Sequence, residues 1–216
     1  MITRIENALI DRLKRGLGKL VYEVKSYEGE IDDARLAVNR MPLVLVSYGG
    51  SRFVSKTMTG RGVRYQHQDT FVVIVMVRNL RGSQAARQGG VDKREVGANQ
   101  LVSAVQYLLV NQTLGRLVEP IKPLRVQTLL NNAEVRNEKL TAYAIEFEIS
   151  YSLKHWLEDG HYPEPTQDKQ HPDYIFNAYQ GQLSELTPDL VHIQGKIYDP
   201  NSHAQVGIAV ETKVEE

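Results

Sequence analysis

The chain contains no cysteine, which excludes a disulfide framework and any thiolate metal site and suits a reducing compartment. It also lacks a long apolar run. The longest, residues 42–46 and 71–77, fall far short of the span of about 20 residues that a membrane helix requires. The first residues alternate charge with apolar side chains and lack the unbroken apolar core of a signal peptide, so the expectation is a product made in the cytoplasm. Net charge is absent too, since 26 Lys and Arg balance 26 Asp and Glu. What is present is ordinary for a globular protein: 42% hydrophobic and 24% charged side chains over 216 residues. That length suits one large domain, or a domain of about 150 residues with an appendage.

The zero balance conceals a segregation. Residues 49–94 hold nine basic side chains (Arg52, Lys56, Arg61, Arg64, Arg78, Arg81, Arg87, Lys93, Arg94) against Asp69 and Asp92, an excess of +7. Residues 95–216 hold nine basic and seventeen acidic side chains, an excess of −8. Some of this charge can pair within one subunit, but two segments of opposite sign are also what a head-to-tail assembly of identical copies uses. Arg52, Lys56, Arg61, Arg64, Arg81 and Arg87 are therefore the candidate interaction residues.

Periodicity supplies the elements. Ile2, Ile5, Leu9, Leu13 and Leu17 form one apolar stripe of a first helix stopped by Gly16 and Gly18. A strand is expected at residues 19–27 with Leu20, Tyr22 and Val24 on one face, and a short helix at 28–38. Residues 42–48 read as a strand closed by Gly49 and Gly50. Residues 71–77 are apolar on both parities, which belongs in the middle of a sheet. Between them, residues 49–64 read as a long mobile hairpin loop, and residues 78–92 as a second one. A helix at 93–111 follows on Val96, Leu101, Val102, Val105, Leu108 and Leu109. Strands are expected from Leu124 to Leu130 and over 141–153, where Thr141, Tyr143, Ile145, Phe147, Ile149, Tyr151 and Leu153 face inward. The order α-β-α-β-β-α-β-β predicts an α+β fold, a mixed sheet with helices packed on one side.

After Trp156 the composition changes. Residues 161–173 carry three prolines, so 157–189 reads as a linker or extended arm, with Tyr162, Tyr174, Phe176 and Tyr179 as apolar anchors. Residues 190–216 should form a β-hairpin around the turn at 199–202, too small to stand alone. The expected organisation is thus a domain over 1–156, an arm over 157–189 and a hairpin over 190–216. The arm either packs on a neighbouring subunit or folds back over its own domain.

Few residues suggest chemistry. His155, His161 and His171 lie among Glu158, Asp159, Glu164, Asp168 and Asp173, but without the spacing of a metal site they read as a solvated polar arm. His67 and Asp69 share a strand parity that would allow an acid-base pair, with surface polarity as the plainer alternative. The glycine-containing stretches at 59–62 and 87–90 lack the strand-to-helix context of a phosphate cradle. Glu146 and Glu148 project together from one face of a strand. They can be solvent-facing residues or an acidic wall lining a channel, along which DNA phosphates are repelled and slide.

Residues 1–13 (MITRIENALIDRL), 21–27 (VYEVKSY), 42–48 (PLVLVSY) and 70–78 (TFVVIVMVR), with Leu101, Val105 and Leu108 and the strand ending at 151–156 (YSLKHW), resemble the small tail proteins of Mu-like phages. The resemblance covers about residues 1–156. It implies a tail terminator: a sheet with helices on one side and long loops, closing a six-membered ring that caps the tail tube and meets the head connector. The implied partners are further copies of the chain, tail tube or sheath subunits, head-tail connector proteins and DNA passing through the lumen, with no membrane. The implied localisation is the bacterial host cytoplasm during assembly, then the virion tail. No catalytic or metal residues carry over and no cofactor is expected, so the reading is binding rather than catalysis. The alternatives are a head-tail connector or other minor tail protein, or a small hydrolase or nucleic-acid enzyme.

Overall fold

The computed structural model describes residues 1–28, 40–57, 63–78, 83–90, 96–129, 140–152, 157, 159–184, 192–198 and 205–211. The chain divides into two compact units, Met1–Lys154 and His155–Glu216. In the first, helix α1 spans Ile2–Leu17 and runs into a short 3-10 turn at Gly18–Leu20. Strand β1 (Glu23–Ser26) and the two long strands β2 (Leu43–Thr57) and β3 (Val63–Arg78) follow. Helices α2 (Ser83–Gln88) and α3 (Ala98–Leu109) precede strands β4 (Lys122–Thr128) and β5 (Leu140–Ser152). The five strands form one mixed sheet in the order β1-β2-β3-β5-β4, parallel at β1/β2 and antiparallel elsewhere. The fold is α+β, as the order of elements predicts.

Burial explains the arrangement. The stripe of α1 (Ile5, Leu9, Leu13, Leu17) and that of α3 (Leu101, Val105, Leu109) are buried against Phe71, Val73, Val75, Ile145, Phe147 and Ile149 on one face of the sheet. Each fully buried aliphatic side chain contributes roughly 1.5–3 kcal/mol relative to an exposed one. On the opposite face, at one end of the strands, Leu43, Leu45, Ile74, Met76, Leu140 and Ala142 form a second buried cluster. β3 therefore lies centrally and is buried on both parities through residues 73–77.

Several sequence expectations need correction. The strand expected at 19–27 shortens to Glu23–Ser26, because Gly18 takes a left-handed φ of 50° and the chain makes a 3-10 turn before extending. Leu20 and Tyr22 are consequently exposed while Val24 is buried. Residues 49–64 are not one long loop. β2 continues to Thr57, paired residue by residue with β3 from Val63 onward. Gly49 and Gly50 do not end the strand; they sit at a bulge where the register shifts, with Gly50 at φ 114°, a conformation that favours glycine. The second supposed loop contains α2, the helix expected at 93–111 is Ala98–Leu109, and β4 is Lys122–Thr128. The helix expected at 28–38 lies, beyond Glu28, outside the described residues, as does Leu153.

In the second unit, residues 162–184 are not extended. The two ends of this stretch are tied together: the Ser184 hydroxyl donates to Tyr162 O (2.6 Å) and the Ser184 amide to Pro163 O (2.9 Å). Within it, Asn177 Nδ2 donates to Thr166 O (3.1 Å), the Glu164 amide donates to Asp173 Oδ2 (3.2 Å), and Tyr174–Ala178 forms a short helix, α4. Prolines thus shape a hydrogen-bonded knuckle rather than a spacer. Strands β6 (His192–Tyr198) and β7 (Gln205–Glu211) pair as an antiparallel hairpin.

Candidate functional site

The bulge in β2 has a direct consequence for side-chain placement. One extra residue between Tyr48 and Gly50 returns Tyr48 and Ser51 to the same face of the sheet, where the Tyr48 hydroxyl lies 2.6 Å from Ser51 Oγ. Ser51 Oγ in turn donates to Asp69 Oδ1, its cross-strand neighbour. Asp69 is fully buried, and His67 Nδ1 lies 4.0 Å from Asp69 Oδ1. The imidazole of His67 stacks on Tyr151 (centroids 4.8 Å apart, planes at 13°) and meets Phe53 edge to face at 4.7 Å. Tyr151 lies on β5; burial first, and then the Asp69 carboxylate, push its hydroxyl well above the ordinary tyrosine range. Residues of three strands thus gather around one buried carboxylate, whose Oδ2 has no hydrogen-bond partner among the described residues. The surface-polarity reading of His67 and Asp69 is overturned, because Asp69 is fully buried and accepts from Ser51.

The opposite face carries a charge ladder. Glu148 receives Lys122 Nζ at 3.0 Å from β4 and Arg52 at 3.9 Å from β2. Glu146 receives Arg125 at 2.8 Å and Gln127 Nε2 at 3.3 Å, both from β4. The register makes these pairs: Lys122 stands opposite Glu148 and Arg125 opposite Glu146. The Glu146 hydrogen bond, and then its charge, hold the Arg125 proton more firmly than usual. Both carboxylates are thus matched by cations of the same subunit, one of them, Arg52, from the basic segment. The ladder can hold strands in register and present a polar, charge-balanced face.

The candidate residues distribute as follows. Arg52 joins the ladder and remains 75% exposed, and Arg87 is exposed on α2. Arg61 and Arg81 lie outside the described residues, as do the side chains of Lys56 and Arg64. Tyr162, Phe176 and Tyr179 are exposed on the knuckle together with Ile175, and Tyr174 is half-buried. His155 and Glu158 lie outside the described residues. His171 Nδ1 accepts the Asp173 amide at 3.2 Å. Among the described residues no cluster of His, Asp and Glu could hold a metal ion, and no helix is long and apolar enough to cross a membrane. Sequence reasoning missed Ser51, Tyr48, Lys122 and Arg125. The basic alternation of Lys122 and Arg125, one hairpin away from Glu146 and Glu148, was the available signal for the ladder.

A mixed sheet with helices on one face, a carboxylate-locked ribbon and a neutralised ladder describe a scaffold built around strand pairing. The chain belongs to the family described as Bacteriophage Mu, Gp37, which matches residues 1–152. It is thus a protein of a Mu-like phage family, and that family points to a structural, tail-related component. No curated protein matches the chain.

Proposed function

We propose that the chain is a tail terminator, which closes into a ring at the head-proximal end of the tail tube and meets the head-tail connector. Family membership across residues 1–152 carries this reading. The sheet with helices on one face, which the resemblance also implies, supports it. In this reading the protein works by binding: complementary surfaces of successive copies close the ring and stop further tube growth. Arg52 and Arg87, exposed on the basic segment, are contact residues toward the acidic segment of a neighbour. The exposed Tyr162, Phe176 and Tyr179 anchor the second unit on an adjacent subunit or tail component. Glu146 and Glu148, with their cations, face DNA in the lumen without sequence readout. Native mass spectrometry and negative-stain imaging of the purified chain test the proposal. A closed ring, six-membered by the resemblance, is expected; a monomer at all concentrations overturns it.

A further inference from the structure

The two outer strands of the sheet, β1 and β4, are unequal, and β4 is the more exposed. Among the described residues it pairs only with β5, and all seven of its residues are exposed. Unpaired edges invite a further strand, and proteins blunt them with lysine, proline and bulges. β4 carries all of these devices, Lys122, Pro123 and the bulge between Pro123 and Arg125, in its first half. Its second half, Val126 to Thr128, carries none.

Hydrogen-bond geometry shows which groups are free for such a strand. The Leu129 amide donates to Ala142 O at 3.0 Å, which places residues 129, 127 and 125 in hydrogen-bonded pairs with β5. By alternation, the N–H and C=O groups of Val126 and Thr128 point away from β5, to the outside of the sheet.

We propose that this edge receives β1 of a second copy of the chain, joining neighbouring sheets into one. The inference rests on the ring reading above and names its contact. Four observations select β1 as the occupant. It is the other outer strand, with β2 as its sole ladder partner among the described residues. It is four residues long, short enough to lie along the unguarded stretch from Val126 to Thr128. The sheet order makes it antiparallel to β4, so copies in the same orientation meet as an antiparallel pair with their helices on one side. Side chains also match by face: Val126 and Val24 both lie on the helix face, whereas Glu23 and Lys25 lie on the face of Lys122 and Arg125.

Thr128→Pro is the decisive substitution, because it removes an outward N–H and leaves the β4/β5 ladder intact. Val126→Lys, which guards the edge without altering the backbone, is the second. Association of each full-length variant, measured by sedimentation beside circular dichroism, should weaken about tenfold to a hundredfold with the fold unchanged. Wild-type assemblies that persist in both variants overturn the edge contact and leave the ring reading standing. A wild-type monomer at every concentration overturns the ring reading itself, and the edge contact with it. A wild-type dimer that Thr128→Pro dissolves overturns β1 as the occupant, since β4 then pairs with itself.

Discussion

Asp69 is the residue on which the local stability of the ribbon turns, because a buried carboxylate must collect donors or lose far more than it gains. Ser51 is such a donor, to Oδ1, while Oδ2 has no hydrogen-bond partner among the described residues, and Tyr151 feels the carboxylate's charge; Ser51 and Tyr151 each yield a separate prediction. Ser51→Ala leaves the carboxylate one donor short and should cost about 1–3 kcal/mol in chemical denaturation. Tyr151 acts through pH. Its hydroxyl ionises above the ordinary value of 10.0 in the folded state, so below that pH both states hold the proton and stability is complete. As pH rises past it, the unfolded chain loses the proton first and stability falls. Tyr151→Phe should flatten that alkaline loss, read as melting temperature against pH from 8 upward; an unchanged slope would show that Tyr151 does not carry it.

At the scale of elements, α2 and α3 meet so closely that one glycine sets their junction. Gly97 caps α3 and donates its amide to Gln100 Oε1 at 3.1 Å. A Cβ at Gly97 would collide with the backbone of Gly89 and Gln88 and stand 2.7 Å from Arg87 O. Backbone cannot swing aside as a side-chain end can. Gly97→Ala should therefore displace α2 and cost about 3 kcal/mol, the upper end for overpacking. Thermal melts measure the cost, and faster amide exchange confined to α2 locates it. A neutral substitution would mean that the two helices separate freely.

For the whole molecule, charge and the division into units decide what can be separated. Residues 1–154 hold the described apolar core of the first unit, so this piece alone should be soluble and melt cooperatively; aggregation on removing 155–216 would show that the second unit covers it. Association of the full chain should weaken with salt and with the double reversal Arg61→Glu and Arg87→Glu, since charge complementarity between subunits acts on encounter. Sedimentation at low and high ionic strength checks this. An assembly indifferent to salt would mean that pairs such as Arg52 with Glu148 neutralise the segregation within each subunit.

What the sequence determined by itself is whatever follows from neighbours along the chain. The apolar stripes of α1 and α3, the two-faced burial of residues 73–77 and the split of charge all arise from spacings of a few residues, and they place the helices, the central strand and the α+β class. The resemblance of residues 1–156 added a family that matches residues 1–152. Only the tertiary structure decided the rest. Residues 51–57 are poor in aliphatic side chains and read as loop, yet they are strand because β3 offers them a complete ladder. A carboxylate at position 69 reads as surface until a bulge twenty residues earlier turns Tyr48 and Ser51 to the same side. Glu146 and Glu148 read as an acidic pair until β4 brings Lys122 and Arg125 opposite them. Each of these depends on register between distant segments, and register is set by the summed fit of whole strands rather than by any local window.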